Sequence, residues 1–595
     1  MKFQILTILL FVLLAGIASG QTATVSPTPP VDVQTVQPEK LEGVPEVANG
    51  FESAVTSLPD IGRVGVDMTL QVPMTSREAI VMALENNKDI EVSRKDVKIA
   101  EYELGASYLP FTPVIAGATY FERATLPSVS IFNNNTTTSN TSLVGEFSYQ
   151  GILRKNGTSY SATFKNRKLT TDNPVSILSP QYDSSIEFRI NQPLFRGRKN
   201  DDMRRVIELA KKNLSLSDKQ FRQKAIEITV SVQKAYWDLT YALRNLKVQR
   251  DGVRDARQQL EHNKRLVSEG VLAPIDILAA ETQVAELELR VYTALEQVNR
   301  SENFLKNLIA ENRDDVVWSK SLVPTDNVDL VIPKTTLEEA LALAIENRIE
   351  FDILDVSKEI NEYDKKFYKD QLDPIINLNA SYTSSGIGGT ANPGVVSFFS
   401  NTESAEKINE VITRVNTIDP NSPPISPLPI APPRMVPERL TGSYFSSVTD
   451  IFANRYPTFR VGVTFQIAPD GKAQEALLGK ALVQGDRIRV LREQLEQGIQ
   501  VDVRNALQSL KTAEARMLAV ATARSNSEKQ YESERRKLDA GLSDIYKVLE
   551  RQTALMNARS AEIQAQTELN KAIAELQRAT GNSLKDNDVE TKLVK

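Results

Sequence analysis

The chain has 595 residues, with 71 Lys+Arg against 76 Asp+Glu for a formal charge of -5, a hydrophobic share of 41%, no cysteine and one histidine, His262. Near-balanced charge offers no basic excess for a nucleic acid partner, and the missing thiols exclude disulfide scaffolding, Cys-ligated zinc and thiolate catalysis. Any Ser-His-Asp site would have to use His262, so most familiar catalytic chemistry lacks its residues.

In chain order, Lys2, the apolar run Ile5 to Ala15 and the small residues Ala18-Ser19-Gly20 follow the plan of a secretory signal peptide over residues 1–20, cut before Gln21. That apolar run is short for the ~20 residues a spanning helix needs. Residues 21–70 carry Pro27, Pro29, Pro30, Pro38 and Pro45 and read as an extended linker. A first repeat then covers 71–312, an inter-repeat equatorial segment 313–334, a second repeat 335–584 and a tail 585–595.

The duplication is visible residue by residue. Thr75 to Asn86 (TSREAIVMALEN) is echoed by Thr336 to Asn347 (TLEEALALAIEN), and the same offset carries Tyr102 onto Tyr363 and Pro113 onto Pro374. Further on, Val232, Ala235, Leu239 and Gly270 map onto Val503, Ala506, Leu510 and Gly541. Duplication has to be recognised before the fold is read, because it sets the architecture. Each copy reads as helix, strand, long loop, strand, very long helix, turn and long helix.

The helices declare themselves by spacing. Val232, Ala235, Leu239, Ala242, Leu246, Val253, Ala256, Leu260 and Val267 advance in steps of three and four, with Gln249 and Asn263 at the skipped positions. Ile277 to Leu308 returns the pattern, and Ile499, Val503, Ala506, Leu510, Ala513, Met517, Val520, Tyr531 and Leu538 repeat it in the second copy. Such a repeat is a coiled-coil seam. A helix from Met203 to Glu269 is about 100 Å long at 1.5 Å per residue. Gly270 to Leu278 (GVLAPIDIL) and Gly541 to Leu549 (GLSDIYKVL) are the turns of two long antiparallel hairpins, glycine ending one helix and Pro274 opening the next.

Four strands alternate. Ile376, Leu378, Ala380 and Tyr382 interleave with Asn377, Asn379, Ser381 and Thr383; Val461, Val463, Phe465 and Ile467 with Gly462, Thr464 and Gln466; Ile186, Phe188 and Ile190 with Glu187, Arg189 and Asn191. Val114 to Tyr120 is a weaker fourth. At about ten residues each matches a tilted membrane strand, apolar toward lipid and polar toward water. One such strand alone would suit a soluble sheet. Four, in an exported chain without a helical span, point to a barrel. Four strands cannot close one around a lumen, and open edges in lipid leave backbone groups unpaired. Copies must therefore pool strands: three supply twelve, two supply eight.

These residues resemble the TolC-like outer-membrane efflux family over Thr75 to Leu584. The likeness lies in the ordered, duplicated set: helix ends at Glu85-Asn86 and Glu346-Asn347, the strand exit Gln192-Pro193-Leu194-Phe195, and the Val-x-x-Ala-Tyr-Trp-Asp-Leu stretch ending at Leu239. The turns at Gly270 and Gly541 and the closing Ala579-Thr580-Gly581 complete it. The resemblance implies a mostly α protein with transmembrane β structure: a homotrimeric twelve-stranded outer-membrane barrel, four strands per chain, continued by a periplasmic helical barrel. It implies a passive exit channel of a tripartite efflux or type I secretion system, with a periplasmic adaptor, an inner-membrane pump and outer-membrane lipid as partners. No catalytic residue, metal or cofactor is implied.

By the same resemblance the turns Gly270, Val271, Leu272, Ala273 and Gly541, Leu542, Ser543, Asp544 dock the adaptor. Asp276 and Glu550 stand at acidic positions of the periplasmic gate, and Lys547 stands where another acid is expected. The lysine leaves three readings open: an acidic constriction, a mixed ring of Glu550 and Lys547, or all three residues as ordinary solvated helix starts. His262 lies outside the seam and reads as a solvated helix residue. Gly386-Ile387-Gly388-Gly389 lacks the lysine and helix of a phosphate loop and reads as a mobile loop. Asn133 to Ser142 reads as a disordered tip, Pro420 to Pro437 as extended and exposed, and Ile408, Val411, Ile412 and Val415 as a short amphipathic helix. These stretches belong to two long extracellular loops, 122–184 and 384–457. The competing classes are a periplasmic adaptor, which needs a lipoyl-like domain, an exported coiled-coil filament, which has no use for membrane-length strands, and an enzyme.

Overall fold

The computed structural model describes residues 62–128, 136–326, 332–393, 402–418, 420, 422–430, 436–467, 470–587 and 589. The signal peptide and nearly all of the proline-rich linker lie outside these residues. So do the end of the tail and Asn133 to Asn135 of the asparagine-rich stretch.

The duplication is repeated in the helix caps. Strand β1 (Asp67–Met74) leads into α1 (Ser76–Asn86), whose cap Thr75 accepts the Glu78 amide at 3.2 Å while the Glu78 carboxylate accepts the Thr75 amide at 2.8 Å. In the second copy Thr336 and Glu339 make the same reciprocal box at the start of α5 (Leu337–Asn347), at 3.2 and 2.9 Å. Helix α2 (Lys88–Ser107) follows α1, and α6 (Ile349–Asp370) follows α5. Each then passes into a strand. The two great helices are α3 (Asp202–Ser268) and α9 (Lys472–Asp539), 67 and 68 residues, and they return through α4 (Ile275–Ile309) and α10 (Ile545–Thr580).

The seam residues bury as the spacing requires. Val232, Ala235, Leu239, Ala242 and Leu246 pack with Ala294, Val298 and Leu305, and lower down Ala256 and Leu260 meet Ala280, Val284 and Leu287. Ile499, Val503, Ala506, Leu510 and Ala513 pack with Leu569, Ala572 and Leu576. Gln249 and Asn263, the polar breaks, are buried too. Gln249 donates to Ser560 Oγ at 3.0 Å across to α10, and Gln259 donates to Asn263 Oδ1 at 2.8 Å. The helices lie side by side in the order α2-α3-α6-α9 next to the sheet and α4-α3-α10-α9 further away, four abreast at each level. Arg205 and Lys219 of α3 bridge to Asp364 and Asp352 of α6 at 2.8 and 2.6 Å.

The sheet departs from expectation in its count. Among the described residues it holds six strands, not four, in the order β2 (Val114–Pro127), β3 (Thr137–Leu153), β4 (Thr158–Thr171), β5 (Leu178–Pro193), β7 (Ile375–Ala391), β8 (Tyr456–Gln466), each pair antiparallel. The predicted loop 122–184 is thus largely the β3–β4 hairpin, and Thr137 to Ser142 of the predicted disordered tip are strand. The cause is local: a turn at Asn156-Gly157, with Gly157 at φ 65, joins two segments whose large residues alternate. The Gly386 to Gly389 run is likewise strand, within β7, and not a loop. Helix α7 (Thr402–Ile418) forms where the apolar spacing put it, and 422–430 is exposed and irregular.

The equatorial segment supplies β6 (Lys320–Pro324), parallel to β1, so the stretch read as linker is already strand from Asp67. Arg63 is buried beneath this pair. It ion-pairs with Glu302 and donates to Asn299 Oδ1 and Ser321 Oγ, each at 3.0 Å. Lys306, 0% exposed, lies 3.4 Å from the same carboxylate and donates to the Trp318 carbonyl at 3.0 Å. Burial, with the charge of Arg63 second, pushes the Lys306 ammonium down to about 8. At the C-terminus a short helix, α11 (Ser583–Asp586), is docked through Gln233, which donates to Asn587 at 3.0 Å. The first residues of the predicted tail are therefore part of the fold.

Candidate functional site

Register fixes which side chains share a face of the sheet. Phe459, Val461, Val463 and Phe465 on β8 stand opposite Tyr382, Ala380, Leu378 and Ile376 on β7, and those continue through Phe188 and Ile190 on β5. Opposite them on β4 and β3 come Phe164, Ala162, Tyr160, Phe147 and Tyr149. Ile115 and Phe121 on β2 complete this apolar face. Phe459 and Phe465 are 73% and 74% exposed, so the belt is uncovered.

The other face is polar and charged: Glu146, Ser148 and Gln150, Ser161, Thr163 and Lys165, Glu187 and Arg189, Asn377, Asn379 and Ser381, Arg460 and Thr464. Arg167 donates to Asp183 at 2.8 Å across β4 and β5, and Arg189 donates to Glu187 at 2.8 Å. A cavity of about 720 Å³ on this side is lined by Tyr120, Val144, Arg167, Asp183, Ile387 and Tyr456, one residue from each strand. The sheet therefore curls with its polar face inward. β2 and β8 end it, and they do not pair with each other.

Toward the end away from the helices, the apolar face loses its large side chains at Ser384, Gly386 and Gly388. Helix α8 (Tyr444–Phe452) lies there instead. Ser184 Oγ meets Ser447 Oγ at 2.8 Å and Ser384 donates to the Ile451 carbonyl at 2.8 Å. A Cβ on Gly386 would overlap the Ser447 carbonyl oxygen, and one on Gly388 would lie 2.9 Å from that of Ser443. Glycine is what lets the helix backbone rest on the strand. Phe445 and Phe452 of α8, 75% and 84% exposed, restore an apolar exterior.

At the opposite end are the hairpin turns. Gly270 and Gly541 adopt φ 75 and 68. Val271 N donates to the Leu266 carbonyl at 2.9 Å, and Leu542 N to that of Lys537 at 2.8 Å, closing the last helical turns. Val271 and Leu542 project outward, Ala273 is exposed and Leu272 half-buried. Asp544 caps α10 by accepting the Lys547 amide at 3.0 Å, which holds its carboxyl below the usual range, and Ser543 donates to Glu534.

The three residues assigned to a gate do not meet within one chain. Asp276 is half-buried in the first turn of α4 and accepts the Ala273 amide at 3.1 Å. Lys547 pairs with Asp544 at 3.1 Å rather than with Glu550, and Glu550 is exposed on α10. His262 is half-buried, with Nε2 3.3 Å from Asp539 Oδ1, and joins α3 to α9. Sequence reading missed β3, β4, α8 and the buried Arg63–Glu302–Lys306 group. The Asn156-Gly157 turn was the signal for the first two. Among the described residues no helix is long and apolar enough to cross a membrane, which says nothing of strands.

A family model described as "Outer membrane efflux protein" matches residues 157–311 and 439–582, together just over half of the chain and one stretch in each repeat. Among solved structures, a membrane protein from Pseudomonas aeruginosa is similar at 17% identity and TM-score 0.55, covering 89% of this chain and 96% of that one. The Campylobacter jejuni CmeC outer membrane channel follows at 13% and 0.56, covering 87% and 90%. The open state of the Neisseria gonorrhoeae MtrE outer membrane channel follows at 15% and 0.51, covering 89% and 94%. These likenesses concern the fold. No curated protein matches.

Proposed function

This chain belongs to the outer membrane efflux protein family, and from that premise we propose that it is the passive exit duct of a tripartite efflux or type I secretion system. The family is one of outer-membrane channels and not of enzymes, and membership indicates an outer-membrane location. In this reading three copies join edge to edge, a periplasmic adaptor docks on the turns at Gly270 to Ala273 and Gly541 to Asp544, and an inner-membrane pump supplies the energy.

One observation supports the reading above the others: a curled sheet, apolar outside and polar inside, with both edges unpaired, carried on helices about 100 Å long. In lipid each unpaired backbone group costs several kcal/mol, so β8 of one copy has to meet β2 of the next. The polar lining then faces water and binds nothing tightly, which suits a conduit whose choice of cargo lies elsewhere. The exposed apolar tips Val271 and Leu542, on turns held by their glycines, suit a partner that presents its own small apolar tip. Asp276 and Lys547 sit on the first turns after these tips and Glu550 on the second, where symmetry would gather three of each around the axis.

Two measurements test the proposal together. The purified protein should form discrete ion-conducting channels in planar bilayers. Bifunctional cross-linking from Ser543→Cys or Ala273→Cys in cells should capture an exported, membrane-tethered hairpin protein. A protein that inserts without conducting, or tips that cross-link only to other copies of this chain, would refute the duct and the docking assignment respectively.

A further inference from the structure

We propose that the β3–β4 hairpin is a full member of the membrane wall, so that each copy contributes six strands and three copies close an eighteen-stranded barrel. The inference rests on the trimeric channel reading and adds the size of its exit.

The hairpin occupies the middle of the sheet. β2 pairs with β3 without a break from Val114↔Gln150 to Pro127↔Thr137, and β3 with β4 from Leu153↔Thr158 to Asn140↔Thr171. β4 pairs in turn with β5 from Ser159↔Asn191 to Leu169↔Gln181. β2 and β5 do not pair. A wall of four strands per copy would require the hairpin to be extruded and the β2–β3 and β4–β5 ladders to be broken.

Its side chains carry the same division as the other strands. Leu143, Phe147 and Tyr149, with Tyr160, Ala162 and Phe164, fall on the apolar face; Glu146, Ser148 and Gln150, with Ser161, Thr163 and Lys165, fall on the polar one. A surface flap wetted on both sides has no use for that alternation. The hairpin also spans the full height of the sheet. Its turn is tied to the start of α3, where Arg204 donates to the carbonyls of Lys155 at 3.1 Å and Gly197 at 2.6 Å. A Cβ on Gly157 would lie 2.8 Å from the Gly197 oxygen, so the turn is packed onto the helical end.

Widths agree with this count. Four helices abreast at 8–10 Å occupy about 32–40 Å of arc per copy. Strands about 4.8 Å apart, tilted about 40°, take about 6.3 Å of arc each. Six strands therefore cover about 38 Å and four only about 25 Å. With six, wall and tunnel match, and the lumen does not narrow at the membrane. Its cross-section is about 2.3 times that of a twelve-stranded wall of equal tilt.

The chain's lack of cysteine makes the test clean. Single cysteines at Ser148 and Thr163 (polar face), Phe147 and Phe164 (apolar face), and the β7 controls Ser381 and Ala380 are exposed to a charged, membrane-impermeant maleimide in proteoliposomes. Ser148→Cys and Thr163→Cys should react at least about tenfold faster than Phe147→Cys and Phe164→Cys, matching the contrast between the controls. Equal rapid labelling of all four hairpin positions, with the control contrast intact, overturns the proposal while leaving the channel reading standing. Loss of the control contrast overturns both. Electron cryomicroscopy of the unmodified trimer gives the independent reading: eighteen strands around the wall support the inference, and twelve with the hairpin outside it overturn it.

Discussion

Placing a charge on either face of one strand should separate lipid from lumen. Ala380 lies on β7 between Ile190 and Val461, in the apolar belt, and its small side chain means that substitution removes almost no buried surface. Ala380→Arg therefore adds a charge to the lipid face and little else. An arginine near the bilayer midplane of such a barrel costs about 2–4 kcal/mol. Symmetry triples it, to about 6–12 kcal/mol per trimer if the three sites act independently. Thr383→Arg, one turn of the pleat away on the polar face and opposite Glu187 and Thr458, should stay within about 0.5 kcal/mol. The assay is the urea midpoint for loss of the protease-resistant, inserted form in phospholipid vesicles. Equal losses for the two variants would refute the assignment of faces.

Three further outcomes follow from the geometry. Gly541→Ala meets open space but keeps φ 68, so its cost is conformational, about 1–2 kcal/mol, and hydrogen exchange at the Leu542 amide should quicken about 5–30-fold while the trimer persists. Lys306 titrates at about 8 in the native chain against an ordinary 10.5, so the unfolded chain binds more protons between those values and stability rises with pH across that window, by at most about 3 kcal/mol; Lys306→Met should abolish the rise in thermal midpoint between pH 8 and 10. Asp276→Ala combined with Glu550→Ala should raise resting conductance in planar bilayers, and an unchanged value removes both from the gate.

How much of this was legible in the sequence depended on which physical signal each element carried. Long helices were the clearest. The steps from Val232 to Leu260 left one possible face, and the observed helix Asp202–Ser268 lies within a residue of the range read from spacing. The three strands with large alternating residues were equally plain, and β2 less so, because Val114 to Tyr120 holds mostly small ones. β3 was not, because Thr137 to Ser142 is Ser, Thr and Asn, and the face that carries Leu143, Phe147 and Tyr149 is interrupted by Gly145 and Gly151. Small polar residues are read as loop, yet in a barrel strand they line water. The Gly386 to Gly389 run misled for a related reason. Gly386 and Gly388 record the closeness of α8, a contact made across about 55–60 residues that no local pattern shows. The Arg63–Glu302–Lys306 group was invisible for the same cause, since Arg63 lies 239 residues from the Glu302 that it meets on α4.

The account turns on edges that a single copy cannot satisfy, and the number of chains in the particle extracted from membranes measures that directly. The protein mass of the detergent-solubilised complex should equal three chains, and removing detergent should precipitate it. A single chain that stays dissolved and folded without detergent would contradict the account at its root.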